Sequence, residues 1–429
     1  MDAKPASRAK RPLLQSLFPS EGWISRPFGA ACELGLDAAA LLFFPLLVVL
    51  PRGIAALVSV AGVCAAGQAV SAGRNRIPGV VSAAGTLLGC LVLWGAASAL
   101  WSIDPLRSLV VALRLAGLFA AGLALAYAAG LVRAPQRLMA LALVGMVLGI
   151  AMVAIELATA GELSSLVSDR AFRPTQLNQA SISFALLLFP AAAMLVCLGR
   201  RSSAALLAAG TALTIYVLQG TAAKAVLVAG LAMSLPLYRM RRLASWTALA
   251  VTVAAVISAP LTFARLEQLP GLAVAADSFK ISAGHRLLIW SFAGDRIAER
   301  PLTGWGLDIS RAIPGGGDPI RPGENWMPLH PHNAALQLWL ELGVPGAVLF
   351  ALLAALVWGA LARVEWPPPL AAAAGASLTI AFVGCFGTYG IWQEWWLGTL
   401  AFCLFLIMVM AQAAGEASLS RTKARSTTT

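Results

Sequence analysis

Long apolar blocks separated by short polar connections dominate the pattern of this sequence. A helix needs about 20 apolar residues to cross a membrane, and fewer where it packs inside a bundle. By that rule the chain contains about twelve spans, at residues 36–50, 53–70, 79–100, 108–130, 138–159, 181–198, 204–219, 223–238, 243–262, 344–362, 370–389 and 394–412. The pattern predicts an all-α polytopic membrane protein.

These blocks divide the chain into five regions. Residues 1–30 form a polar, basic tail, spans one to nine occupy residues 31–262, and a long polar loop covers residues 263–343. The last three spans occupy residues 344–412, and a second basic tail covers residues 413–429. The first tail lacks an apolar core followed by a small-residue cleavage site, so we interpret it as a cytoplasmic tail and not as a signal peptide.

Composition agrees with a membrane protein, and the distribution of charge predicts its orientation. The chain is 59% hydrophobic and 12% charged, whereas a soluble domain carries about 25% charged residues. The net charge of +12 comes from short basic clusters between apolar blocks, which are typical of topology signals and not of nucleic-acid binding. Lys and Arg are in excess on the connections that share a side with both tails. The positive-inside rule therefore predicts cytoplasmic termini and an outer loop at residues 263–343.

The long outer loop carries a helical pattern of its own. Ser282 can cap a helix over residues 283–299, and Pro301 ends it. Within this helix Arg286 and Trp290 share a face with an apolar stripe.

Two of the three histidines, His330 and His332, lie where this loop meets the next span. Residues 333–342 resemble a short amphipathic helix that enters or lies on the outer membrane surface, and Gly343 and Pro345 break it. The positive end of that helix disfavours an imidazolium, so His332 is predicted to be neutral and able to accept a proton. The alternative is a histidine that only caps the helix or satisfies hydrogen bonds of the loop.

A metal site is not predicted. His330 and His332 could ligate a metal, but the nearest preceding acids, Asp318 and Glu324, do not stand at ligand spacing. The six cysteines form no CxxC pair and no cysteine–histidine spacing, so neither zinc nor a disulfide framework is indicated.

Several cations lie on the predicted outer side. Arg286 could pair with Asp295 or Glu299, or it could bind a phosphate through its planar guanidinium. Lys224 follows a very short outer turn, where a buried cation is costly unless it is functional or reaches the interface.

Arg170 and Arg173 add positive charge on the same side. Cations that converge beside a membrane would suit an anionic, lipid-linked ligand such as a diphosphate.

Two other classes of protein are disfavoured. No GxxxxGK[ST] loop is present, which argues against an ATP-driven machine. A lipid or solute transporter would show internal repeats or charged sites in the middle of spans, and only Arg114 and Glu156 are candidates for such sites.

The residues around His332 resemble the histidine motif of bacterial O-antigen ligases, members of the O-antigen ligase/polymerase superfamily. The match is His332-Asn333, nine residues, then Gly343 and Gly346. The preceding block, Gly284-His-Arg-Leu-Leu-Ile-Trp290 followed by Arg300-Pro-Leu-Thr-Gly-Trp-Gly306, is also similar to that superfamily.

This resemblance implies a transferase at the periplasmic face of the bacterial inner membrane. Such an enzyme moves a preassembled glycan from undecaprenyl diphosphate to lipid A–core in a single inverting displacement, without ATP, a metal or another cofactor. The resemblance assigns the general base to His332 and the diphosphate contact to Arg286. A second family arginine would fall near Lys224, which differs from it, and Arg170 or Arg173 could supply that charge.

Three alternatives remain open at this point. An O-antigen polymerase would use a second lipid-linked glycan as acceptor, and a pilin-type protein O-oligosaccharyltransferase would use a Ser or Thr hydroxyl. A multi-pass lipid or solute transporter is the alternative from a different class.

Overall fold

The computed structural model describes residues 22–73, 77–169 and 171–426, with side chains from residue 28 to residue 414. Most of the predicted tail 1–30, residue 170 and the last three residues therefore lie outside the described part of the chain. The described residues form fifteen α-helices: α1 (Gly22–Val49), α2 (Gly53–Ser71), α3 (Gly79–Ala97), α4 (Pro105–Ala128), α5 (Pro135–Ala158), α6 (Glu162–Ser165), α7 (Asn178–Cys197), α8 (Arg201–Val217), α9 (Thr221–Arg239), α10 (Arg241–Ile257), α11 (Leu272–Phe279), α12 (Ile281–Glu299), α13 (Ala334–Arg363), α14 (Pro368–Gly387) and α15 (Glu394–Ser426).

Ten of these helices are long and apolar enough to cross a membrane. Helices α8 and α10 have 17 residues each and coincide with the predicted spans 204–219 and 243–262. A helix therefore stands at each of the twelve predicted positions. The prediction of an all-α polytopic membrane protein is confirmed, and ten spans meet the criteria of length and composition.

Helix α1 packs against α2, α5 and α7. Phe43 of α1 stacks on Phe402 of α15 with ring centroids 4.3 Å apart, and Phe44 stacks on Phe184 of α7 at 5.0 Å. Stacked aromatic pairs bury large apolar areas and add about 0.5–1.5 kcal/mol each. Helix α1 is thus fixed against both the middle and the C-terminal part of the bundle.

The long loop is partly helical, as predicted, and also contains a small hairpin that was not predicted. Helices α11 and α12 precede strands β1 (Pro319–Arg321) and β2 (Glu324–Asn325), which pair antiparallel. Helix α12 ends before Pro301, as expected. The predicted cap is wrong, because α12 starts at Ile281 and Ser282 lies inside its first turn, so Lys280 occupies the cap position without a side-chain hydrogen bond.

Helix α13 is broken at Gly343, as the glycine and proline predict. Gly343 has φ +64° and ψ −156°, a conformation that essentially only glycine adopts. A Cβ there would lie 2.4 Å from the carbonyl oxygen of Leu302. Pro345 has no N–H with which to continue the ladder.

Three carbonyl oxygens at this break accept hydrogen bonds from other parts of the chain. Trp305 N–H donates to Leu340 O at 2.9 Å, and Gly306 N–H donates to Glu341 O at 2.8 Å. The indole of Trp94 in α3 donates to Leu342 O at 2.9 Å. Buried backbone groups require such partners, so the Gly304–Gly306 turn stabilises the broken helix.

The first part of α13 does not lie on the membrane surface. Residues 334–338 and 340–343 are all buried inside the protein, including the polar residues Gln337 and Glu341. Of the two predicted alternatives, a helix that lies on the outer surface is therefore wrong, because those polar residues contact protein partners and not solvent.

Candidate active site

His332 stands immediately before α13 in a left-handed backbone conformation, with φ +55°. Asn333 caps the helix by accepting a hydrogen bond from Leu336 N–H at 3.2 Å. The Nδ1 atom of His332 lies 2.6 Å from the carbonyl oxygen of Thr388. Since a carbonyl can only accept, Nδ1 carries the proton and the neutral ring presents its lone pair at Nε2.

His330 contacts both the backbone and the ring of His332. It is buried, its Nδ1 accepts the N–H of His332 at 3.1 Å, and the two ring centroids are 4.2 Å apart. Its Nε2 lies 3.2 Å from the side-chain nitrogen of Gln393. A Cβ at position 390 would lie 2.9 Å from the His330 ring, so Gly390 permits this close approach.

Both histidines are held neutral, and burial is the main cause. Burial lowers the pKa of His332 below its ordinary value of 6.5, and Arg286 and His285 lower it further, against a rise from the bond to Thr388. Burial and nearby charges lower the pKa of His330 to about 3. The predicted neutrality of His332 therefore has a different leading cause from the helix terminus.

Arg286 faces the two histidines from α12. Its positive charge acts on both rings, and burial lowers its own pKa while the nearby Tyr389 hydroxyl raises it. Arginine nevertheless remains a cation in proteins. Among the described residues Arg286 has neither an ion pair nor a side-chain hydrogen bond, and Glu299, one predicted partner, pairs with Arg296.

Trp290 joins α12 by a hydrogen bond to residues 330–332, here called the histidine segment. Its indole nitrogen donates to the carbonyl oxygen of Pro331 at 2.7 Å. Trp290 lies one helical turn after Arg286, so this bond sets the position of Arg286 relative to His332. The shared face predicted for Arg286 and Trp290 is thus directed towards the histidine segment.

Residues 186–351 of this chain match the family model described as O-antigen ligase. Over this segment, which is less than half of the chain, the protein is similar to the O-antigen ligase family. The segment contains Arg286, His332 and both motif glycines, and the resemblance seen in the sequence is confirmed.

Curated relatives agree with the family. The chain is 35% identical over 135 residues to a provisionally named polysaccharide ligase of Rickettsia conorii, covering 30% of this chain and 33% of that protein. It is 32% identical over 139 residues to a similarly named protein of Rickettsia prowazekii, again covering 30% and 33%. The chain thus aligns with about a third of the length of the curated relatives it matches.

The two glycines of the motif, Gly343 and Gly346, are required by the backbone for different reasons. Gly343 provides the break in α13 described above. At Gly346 a Cβ would lie 2.4 Å from the Cβ of Leu342, so the two parts of α13 approach closely on either side of the break.

Glu341 is a buried residue of the segment that matches the family model. The sequence pattern did not single it out. Its carboxylate accepts hydrogen bonds from Asp308 N–H at 2.7 Å, from Gln337 at 3.0 Å and from the Trp392 indole at 2.5 Å. It also accepts from the backbone and hydroxyl of Ser310. A glutamate four residues after a glutamine, inside an apolar segment, was the available signal.

The structure does not bring the other predicted cations, Lys224 and Arg173, into contact with the histidines or with Arg286. Lys224 lies in the first turn of α9, 5.4 Å from the ring centroid of Tyr216. Arg173 is exposed, and Arg170 lies outside the described residues. Among the described residues no hydrogen bond or ion pair joins Lys224 or Arg173 to His332 or Arg286.

The turn that carries Lys224 nevertheless belongs to the same end of the bundle. Tyr389 donates its hydroxyl to Asn178 O at 3.1 Å, and a Cβ on Gly220 would lie 3.0 Å from Asn178 Oδ1. Lys280, which precedes α12, donates to the Thr221 hydroxyl at 2.8 Å.

His285, the third histidine, has a structural partner. Its Nε2 lies 2.8 Å from the carbonyl oxygen of Asn325, and its Nδ1 lies 3.8 Å from Glu324. The described residues hold no group of three or more His, Cys, Asp or Glu side chains arranged for a metal.

Proposed function

We infer that this chain is a glycosyltransferase that moves a preassembled glycan from undecaprenyl diphosphate to lipid A–core at the periplasmic face of the inner membrane. The single observation that carries the proposal is the pair formed by His332 and Arg286. His332 is a neutral base whose Nε2 has no hydrogen-bond partner among the described residues. Arg286 is a half-buried cation with no counter-ion among those residues.

His332 acts as the general base on the acceptor hydroxyl. Its proton on Nδ1 is directed to Thr388 O, so Nε2 accepts the proton of the attacking hydroxyl. The acceptor oxygen then bonds to the anomeric carbon of the donor as the bond to the diphosphate oxygen breaks. A single displacement of this kind inverts the anomeric centre.

Arg286 stabilises the departing diphosphate. Charge develops on the leaving oxygen as the glycosidic bond breaks, and a fixed guanidinium nearby lowers the energy of that state. The leaving group is already activated, so the reaction as proposed requires neither ATP nor a metal. Lys224, Arg170 and Arg173 are proposed as further cations for the diphosphate.

The predicted topology supports the location. Excess Lys and Arg on the connections shared with both tails favours cytoplasmic termini. The loop with Arg286 and His332 is then on the outer side, in agreement with the periplasmic transfer that the resemblance to O-antigen ligases implies.

The test is restoration of glycan-capped lipopolysaccharide in a bacterial strain that lacks its own ligase. The wild-type chain is expected to restore the banded lipopolysaccharide, and His332→Gln is expected to lower transfer about 10²–10⁴-fold, as for loss of a general base. Glutamine is polar and close in size to the imidazole ring, and it lacks a basic nitrogen.

Each outcome bears on a separate part of the proposal. Absence of capped lipopolysaccharide with wild type would refute the ligase activity, and longer glycans on the lipid donor would indicate a polymerase instead. Equal activity of His332→Gln would refute the assignment of the base.

A further inference from the structure

A polar cleft lies at the N-terminal end of α4, apart from His332 and Arg286. It has a volume of about 370 Å³ and lies between α4 and the segments around Asp308 and Trp392. Arg107, Val110 and Arg114 line it from α4, and Asp308, Trp392 and Glu394 line the opposite side. The volume lies in the lower range of ligand pockets, which is about 300–1,000 Å³.

The cleft combines donors and acceptors with nearly balanced charge. Arg107 pairs with Asp308 at 2.5 Å, and Arg114 lies 3.6 Å from Glu394. Asp104, which caps α4, adds a third carboxylate. Two guanidinium groups facing three carboxylates do not favour an anion, whereas alternating donors and acceptors match the hydroxyls of a sugar ring.

The pair at Arg114 is open to a ligand. The side chains of Arg114 and Glu394 are 62% and 41% exposed. A pair at that distance and exposure contributes little to stability, since surface ion pairs contribute about 0–1 kcal/mol. Its groups are thus available to bind hydroxyls at little cost to the fold.

The other wall of the cleft is fixed in a strained conformation. Asp308 has φ +57°, which a non-glycine residue rarely adopts. Its N–H donates to Glu341, and its carbonyl oxygen accepts from Arg107 Nε at 2.9 Å. Backbone strain of this kind persists where several contacts impose it, and it clusters at ligand-binding sites.

An apolar stripe borders the cleft on α4. Leu106, Leu109 and Leu113 stand at helical spacing and are 72%, 48% and 75% exposed. In a membrane protein such a stripe faces lipid chains. The cleft therefore opens where a sugar and the lipid that carries it could be bound together.

One short segment joins the cleft to His332. Thr388 O holds the His332 ring, Gln393 contacts His330, and the neighbouring residues Trp392 and Glu394 line the cleft. A glycan of several sugars could therefore occupy the cleft with an inner sugar and present a later hydroxyl to Nε2 of His332.

We propose that the cleft between Arg107, Arg114, Asp308 and Glu394 binds an uncharged sugar of the acceptor glycolipid, one that precedes the sugar with the accepting hydroxyl. This proposal rests on the proposed transferase function, and it assigns the acceptor to a place separate from the diphosphate contact at Arg286. The acceptor is thereby positioned by its sugar hydroxyls in the cleft and by its lipid chains along α4.

The test measures both substrates with the full chain in proteoliposomes. The probes are an undecaprenyl-diphosphate-linked glycan as donor and lipid A–core from a strain without O-antigen as acceptor. Arg114→Leu is expected to raise the KM for the acceptor about tenfold, as for loss of one charge-assisted hydrogen bond. The KM for the donor and kcat at saturating acceptor stay unchanged.

Two further variants test whether the change in the acceptor KM comes from the cleft. Val110→Trp fills the cleft while leaving both ion pairs, and it is expected to raise the same KM. Arg242→Leu, an exposed arginine of α10 outside the cleft, is the matched control and leaves both KM values unchanged. An unchanged acceptor KM in both cleft variants, or a higher KM for the donor alone, would overturn the proposal.

A binding measurement separates this proposal from the proposed function. His332→Gln in nanodiscs is titrated with lipid A–core, with and without Arg114→Leu. If wild type transfers no glycan but Arg114→Leu still weakens binding about tenfold, the cleft is supported and the proposed activity fails. Binding that is absent, or equal in the two proteins, overturns the cleft assignment.

Discussion

The two polar regions at the start of α13 differ in how their groups are partnered. Around Glu341 each oxygen of a buried carboxylate accepts at least two hydrogen bonds, and most of the donors are distant in sequence. Around His332 the ring nitrogen Nε2 and the guanidinium of Arg286 have no described partner. Buried polar groups are normally satisfied because leaving them unpaired is costly. The first region therefore stabilises the fold, and the second is available for chemistry.

The largest effect is expected when the satisfied region is disrupted. Glu341→Ala leaves buried donors from Asp308, Ser310 and Trp392 without an acceptor. The free energy of unfolding should fall, because each buried donor left without an acceptor costs roughly 1–3 kcal/mol. Thermal unfolding in detergent measures this loss.

The control for Glu341 is an exposed glutamate. Glu299→Ala removes a surface pair with Arg296, which should cost about 0–1 kcal/mol. Equal losses for the two variants would contradict the stabilising role of the Glu341 network.

This comparison also marks how far the sequence could predict the fold and the site. Apolar blocks predicted the positions of the helices because span length is imposed by the bilayer. Gly343 and Pro345 predicted the break because their backbone restrictions are local. The burial of Glu341 was not predicted, since its partners Asp308 and Trp392 are distant in sequence and only the tertiary fold brings them together.

At the candidate site, too, local sequence features were predicted and long-range contacts were not. His332, Asn333 and the motif glycines were found in one continuous stretch, and Arg286 was found through its similarity to a family block. The bond between His332 Nδ1 and Thr388 O could not be predicted, because Thr388 lies 56 residues away on another element. The cleft at Arg107 and Arg114 was missed for the same reason, since their partners Asp308 and Glu394 are distant in sequence.

The next effect concerns activity and not stability. Arg286→Ala should lower transfer about 10²-fold, in the range observed for loss of one group that stabilises transition-state charge. Unfolding should change little, because the guanidinium has no ion pair among the described residues. Transfer assays and thermal unfolding on the same protein separate the two quantities.

Arg321 is the matched arginine in the same loop. It contacts Asp277 through both terminal nitrogens at 3.2 Å and also pairs with Glu324. Arg321→Ala should change transfer less than about threefold, because its charge is already paired and exposed. A loss of transfer as large as that of Arg286→Ala would show that pairing does not distinguish structural from functional arginines here.

The smallest effect is on the pH dependence of transfer. The folded pKa of His332 lies below its ordinary value of 6.5, so the ring stays neutral and basic as the pH falls towards that value. More than half of His332 is neutral at pH 6.5, so transfer should fall less than about twofold between pH 7.5 and 6.5. The acidic limb of the profile should lie below pH 6.5.

Substitutions that change the charge at position 286 test the predicted pH dependence further. Arg286 lowers the pKa of His332 by repelling the imidazolium, so its removal favours protonation. Arg286→Ala should therefore shift the acidic limb of the residual activity to higher pH, whereas Arg286→Lys, which preserves the charge, should not. The measurement is kcat/KM against pH for the three proteins. An identical limb in all three would mean that the unpaired cation and His332 do not act on each other, and the two unsatisfied groups would then not form one site.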